Sequence, residues 1–146
     1  MFVDTNILVY ANLNKSPWHE KAAAALQNLH YSDTPIWINR QILREYIAVM
    51  TRADLLTASI PAESIVEDVR LFQFVFNVAD ETSQVTDVLL ELLKKFQVRG
   101  KQIHDTNIVA SMLACGVRRL LTNNAADFAR SSSEIEILDL QNLSTQ

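Results

Sequence analysis

Short apolar runs alternate with longer amphipathic stretches along this chain, and that alternation limits its fold more than any other feature. Residues 2–3, 36–38, 119–122 and 135–138 read as short buried strands. Between them lie helical stretches. Residues 7–11 continue from the first strand, and residues 18–30 carry the strong helix former Ala22-Ala23-Ala24-Ala25-Leu26. Asn39 suits the N-cap of a helix over 40–52. Pro61 opens another to about residue 74, since the first helical turn accepts proline. Ser83 is placed to cap a helix over 83–96, with Val85, Val88, Leu89, Leu92 and Leu93 on its inner face. Ile108, Val109, Met112 and Leu113 mark a further helix, closed by Gly116. Residues 75–79 fit either a helix end or a strand. No tight hairpin signal joins neighbouring strands, and parallel strands need long crossovers. The pattern therefore predicts an α/β domain with a mainly parallel sheet.

A chain of 146 residues suits one domain over 1–146. At that length roughly 70% of the unfolded surface can be buried without staples. Cys115 is the sole cysteine, so no internal disulfide is possible and a reducing compartment is expected. No apolar run approaches the ~20 residues of a membrane span. Met1-Phe2-Val3 leads directly into Asp4, unlike the basic-then-apolar layout of a signal peptide. These features predict a cytoplasmic protein. The net charge of −4 and pI near 5.3 argue against gripping nucleic acid by phosphate neutralisation. They leave open an enzyme that holds a phosphodiester through a metal. The basic groups Arg40/Arg44, Lys94/Lys95/Arg99/Lys101 and Arg118/Arg119 are small and read as solvated surface.

Four acidic motifs stand out: Val3-Asp4-Thr5-Asn6, Leu43-Arg44-Glu45-Tyr46, His104-Asp105-Thr106-Asn107, and Thr122-Asn123-Asn124-Ala125-Ala126-Asp127-Phe128. Asp4 and Thr122 fall at strand ends, where open α/β sheets gather their functional groups. Asp105 is expected to open a helix beside its inward stripe. Glu45 lies on the shoulder of a helix whose core stripe is expected to be Tyr46, Ile47 and Met50. Each acid has an ordinary explanation too. Asp4 suits a helix cap, Asp105 a first-turn dipole partner, Glu45 a partner of Arg44 or Arg52, and Asp127 plain surface. If all four converge, like charges at ~4 Å and an effective dielectric of ~20 cost roughly 4 kcal/mol per pair. A hard cation such as Mg²⁺ or Mn²⁺ is the natural reason to tolerate that cost.

Taken in order, these motifs resemble the PIN-domain nucleases and, among them, the VapC-type toxins of bacterial toxin–antitoxin pairs. The resemblance runs from Phe2 to about Leu140. It rests on the opening Val-Asp-Thr-Asn-Ile-Leu, the Gln41-Ile42-Leu43-Arg44-Glu45 stretch, the His104–Ala110 helix start and the Leu121–Phe128 turn. It implies a three-layer α/β/α fold with a parallel sheet, Mg²⁺- or Mn²⁺-dependent cleavage of RNA, and often a homodimer. Many members carry an acid where this chain has the neutral Asn124. Here the last acid is Asp127, as in members with a Thr-x-Asn-x-x-acid-Phe turn.

Within that resemblance, Asp4 and Asp105 take the role of direct metal ligands. Glu45 completes the ligand set or orients the attacking water, and Asp127 binds a second ion directly or through water. Thr5, Asn6, Thr122 and Asn124 are expected to hold those carboxylates in place. The three histidines and Cys115 have no zinc-ligand spacing. A dehalogenase-type phosphatase wants a second Asp where Asn6 stands, and a response-regulator receiver wants an acidic pair and a late lysine. A PIN domain used only for binding, and a stand-alone RNA-processing nuclease, are the remaining alternatives. A toxin implies an antitoxin, here one offering basic residues to the acidic pocket. Trp18, Tyr31 and Trp37 are candidate anchors for it or for a second copy, and equally candidate core residues.

Overall fold

The computed structural model describes residues 1–52 and 60–143. The described elements, in chain order, are β1 (Phe2–Val3), α1 (Thr5–Asn12), α2 (His19–Tyr31), β2 (Trp37–Asn39), α3 (Arg40–Met50), α4 (Ala62–Val75), β3 (Asn77–Ala79), α5 (Ser83–Phe96), α6 (Gln102–Ala114), β4 (Arg119–Thr122), α7 (Ala125–Phe128) and β5 (Glu136–Asp139). Short 3₁₀ turns follow α7 and β5. The five strands form one sheet in the order β3-β2-β1-β4-β5. Every pairing is parallel, with Phe2 opposite Trp37 on one side and Leu120 on the other.

Strand order fixes the layers. The steps from β1 to β2 to β3 run one way along the sheet, then the chain crosses back to β4 and continues outward to β5. Right-handed crossovers therefore put α1–α4 on one face and α5–α7 on the other. The packing agrees: α1 meets α2 and α3, α3 meets α4, and α6 meets both α5 and α7. The result is the three-layer α/β/α architecture. Phe2, Val3, Ile38, Leu120 and Leu121 on the strands are buried against Ile7, Leu8, Ile42, Tyr46, Ile108 and Met112 on the helices.

Local sequence accounts for some element ends. The Asn39 side chain accepts the Ile42 N–H at 2.9 Å and caps α3. Gly116 closes α6 at φ +76°, the left-handed region that glycine enters without strain. Three expectations need correction, and one left open is resolved. The cap position of α5 is Thr82, not Ser83, and its side chain makes no capping bond. Helix α6 starts at Gln102, so Asp105 lies in its first turn instead of opening it. Residues 75–79 divide, with Val75 ending α4, Phe76 extended and Asn77–Ala79 forming β3. Ile47 is exposed, because the buried stripe of α3 is Ile42, Tyr46 and Met50 at spacing four, and Ile47 is turned about 100° from Tyr46. Of the candidate anchors, Trp18 and Trp37 pack partly buried against the core, whereas Tyr31 is 74% exposed. Among the described residues no helix is long and apolar enough to cross a membrane.

Candidate active site

Connections leave β1 and β4 in opposite directions, and these two strands are neighbours. The gap beyond their carboxyl ends is the point at which open parallel sheets place their ligands. Asp4 follows β1 directly and Thr122 ends β4. A cleft of about 420 Å³ opens there, and Asp4, Glu45, Asp105 and Asp127 all line it. The fold thus brings together four carboxylates drawn from the β1 end, α3, α6 and α7. Larger concavities lie elsewhere, between α5 and Leu113 and beneath α2, but none of the four acids reaches them.

Asp4 is the most constrained of the four. It is the N-cap of α1, with Oδ1 accepting the Thr5 N–H at 2.7 Å. Its Oδ2 accepts from the Asn6 side-chain amide and from the Thr122 hydroxyl, each at 2.7 Å. Capping and lining the cleft are therefore one geometry, not alternatives. Asn6 also uses its Oδ1 to accept the Asn123 N–H at 3.0 Å, tying α1 to the turn after β4. Asn124 donates its backbone N–H to Thr122 Oγ1 at 3.0 Å and borders the cleft. Burial pushes the Asp4 carboxyl up to about 6; its hydrogen bonds oppose that shift, and the charges of Glu45 and Asp105 add to it.

Glu45 is fixed through both oxygens. Thr5 Oγ1 donates to Oε2 at 2.7 Å, and Gln41 Nε2 donates to Oε1 at 2.6 Å. Of its two candidate arginines, Arg44 is engaged elsewhere, pairing with Glu81 at 3.0 Å. Asp105 and Asp127 are held differently: no hydrogen bond to their carboxylate oxygens is present among the described residues. Asp105 is half-buried, and it too is raised to about 6, by burial first and then by Asp127 and Glu45, with His104 and Arg130 opposing. Asp127 is exposed on α7 yet faces the cleft. None of the described ion pairs involves the four acids.

Sequence reasoning gave no role to Gln41, Asn107 or Ser111. Gln41 is buried and joins Glu45 to α6, accepting from Asn107 Nδ2 at 2.8 Å and donating to the His104 carbonyl at 3.0 Å. The available signal was local: Gln41 lies four residues before Glu45, on the same helix face.

The donor chemistry can be tested against a metal. Among the described residues, no group of three or more His, Cys, Asp and Glu side chains forms a ready cage for an ion. The cleft is instead lined by hard oxygen donors, the carboxylates of Asp4, Glu45, Asp105 and Asp127. Mg²⁺ takes one or two carboxylates, keeps several waters and completes its shell with substrate phosphate. The residues fit that mode of binding and do not fit zinc, whose sites favour sulfur and imidazole nitrogen.

A family model described as PIN domain matches residues 1–132 of this chain. No curated protein sequence matches it. Among solved structures, VapBC2 from Rickettsia felis bound to a promoter DNA fragment aligns with a TM-score of 0.70 at 22% identity, over 94% of this chain and 96% of that one. A toxin–antitoxin complex from Klebsiella pneumoniae aligns at 0.63 and 19% identity, over 95% and 96%. VapC20 of Mycobacterium tuberculosis, a sarcin-ricin loop cleaving toxin, aligns at 0.64 and 19% identity, over 92% and 95%. At these identities the likeness is one of fold.

Proposed function

The chain belongs to the PIN domain family, and from that premise we propose that it is a divalent-metal-dependent endoribonuclease, the toxin of a toxin–antitoxin pair acting in the cytoplasm. The observation that carries this reading is the convergence of four carboxylates in one cleft at the β1/β4 switch point. A cluster of acids that none of the described ion pairs neutralises is costly to fold, and a bound cation offsets that cost. That relatives in fold include a sarcin-ricin loop cleaving toxin supports RNA as the substrate.

Asp4 and Asp105 would hold the ion, Mg²⁺ or Mn²⁺, which supplies a water of lowered pKa and charge relief on the phosphate. The protein's own work is positional. Thr5, Asn6 and Thr122 present Asp4 in a single orientation, and Thr5 with Gln41 does the same for Glu45. Glu45 would complete the ligand set or orient the attacking water. Asp127, whose carboxylate accepts no hydrogen bond among the described residues, can follow a second ion or a water bound to it. Asn124 holds Thr122 by its backbone and borders the cleft, a neutral and weaker donor than an acid there.

Single-stranded RNA incubated with the protein should be cut in Mg²⁺ or Mn²⁺ and spared in EDTA. Alanine at Asp4, Glu45 or Asp105 should each lower the rate by orders of magnitude. Double variants should lose little more, because groups that act as a unit are not additive. Cleavage surviving EDTA, or surviving Asp4→Ala, would overturn the assignment.

A further inference from the structure

We propose that Gln41 is a positioning residue of this cleft: its side-chain amide orients Glu45 and sets the spacing between Glu45 and the α6 turn that carries Asp105. The inference rests on the metal-nuclease reading of the cleft and deepens it. Gln41 uses every donor it has. One Nε2 hydrogen goes to Glu45 Oε1 at 2.6 Å and the other to the His104 carbonyl at 3.0 Å, while Oε1 accepts from Asn107 Nδ2 at 2.8 Å. Because a carbonyl can only accept, His104 fixes which end of the amide is nitrogen, so the donation to Glu45 follows without choice.

The amide is also buried, with Gln41 6% exposed. A buried group that loses one partner pays the desolvation of whatever is left unpaired, so the arrangement resists rotation. Nearby, Asn39 Nδ2 donates to Ser111 Oγ at 2.9 Å, and Ser111 donates to the Asn107 carbonyl at 3.0 Å. The first turn of α3 is therefore stapled to α6 twice. One staple, through Gln41, touches a cleft carboxylate. The other, through Asn39 and Ser111, does not. That difference separates a role in the site from a role in stability.

The test compares Gln41→Met, Asn107→Ala and Ser111→Ala with wild type. The readouts are calorimetric Mn²⁺ binding, the Mn²⁺ increment in melting temperature, and kcat and KM for RNA cleavage. Removing a group that orients a metal ligand typically costs 10–100-fold in metal affinity or activity. Gln41→Met should weaken Mn²⁺ binding by about tenfold or more and lower kcat, with KM for RNA unchanged. Asn107→Ala, which leaves the Gln41 amide unbraced, should give a smaller loss of the same kind. Ser111→Ala should lower the melting temperature while keeping Mn²⁺ affinity and kcat within about twofold of wild type, a margin well inside that 10–100-fold range. If Gln41→Met does not fold, the contrast between Asn107→Ala and Ser111→Ala carries the test. Equal Mn²⁺ affinity and kcat in wild type, Gln41→Met and Asn107→Ala would overturn the proposal. A wild type that neither binds Mn²⁺ nor cuts RNA would overturn the nuclease reading instead.

Discussion

Asp4 and Asp105 share a charge and differ in everything that surrounds it. Asp4 accepts three hydrogen bonds, and Asp105 accepts none among the described residues. Both carboxyls are raised from 3.8 to about 6, so between those values the metal-free folded protein binds protons that the unfolded chain has released. Their contribution to stability is full below pH ~4 and is lost as pH rises through 6. Asp105→Asn removes repulsion and forfeits no bond among the described residues. It should stabilise the EDTA-treated protein at pH 7.5 by on the order of 1 kcal/mol, a value discounted for solvent screening, and leave it unchanged at pH 4. Asp4→Asn should gain less, because an amide has one oxygen where three donors now converge. Thermal melts from pH 4 to 8 check both, and an Asp105→Asn variant less stable than wild type at pH 7.5 would contradict the electrostatic account. The four acids that line the cleft were legible in the sequence, because each stands in a compact motif. Their supports were not: Asn107 reaches Gln41 across 66 positions and Asn39 reaches Ser111 across 72. Nothing in local propensity encodes such a partner.

Among the elements, α3 carries most of the site's precision, and it is anchored on both sides. Toward α6 it uses Asn39 and Gln41; toward α4 the buried Tyr46 donates its hydroxyl to Asp68 Oδ2 at 2.6 Å and packs edge-on against Phe72. That acceptor and the burial both hold the Tyr46 phenol well above its ordinary pKa. Tyr46→Phe keeps the ring contact and removes a hydrogen bond to a charged group, so it should cost about 1.5–3 kcal/mol in urea unfolding. Mn²⁺ affinity should stay as in wild type, since Tyr46 points away from the carboxylates toward α4. A variant as stable as wild type would show that the bond contributes nothing net. Elements whose ends are written in capping chemistry were legible, Asn39 for α3 and Gly116 for α6. Those set by tertiary contact were not. Residues 77–79 become β3 only because β2 offers a free edge, and Ile47 leaves the core only because α3 docks through Ile42, Tyr46 and Met50.

At the scale of the molecule, alternation of strands and helices sufficed to predict a parallel sheet, while the strand order β3-β2-β1-β4-β5 had no local sign. Short strands paired far apart in sequence are chosen by the whole core. The net charge of −4 and an acidic cleft favour a partner that presents arginine or lysine, whose geometry matches carboxylates. Expression of the protein alone should slow growth. Asp4→Ala should relieve that, and so should co-expression with the adjacent upstream gene. Vigorous growth of cells overproducing the active wild-type protein without a partner would favour a stand-alone nuclease.

Asp4 and Thr122 are joined by one hydrogen bond across 118 positions. In a chain emerging from the ribosome Asp4 is made before Thr122, and β1 gains its β4 neighbour only after Thr122 has been made. At ~5–20 residues per second that interval is roughly 6–24 s, and non-local strand pairing is slow even when both strands are present. A cleft built this way stays incomplete through that whole interval, however early its first carboxylate is made.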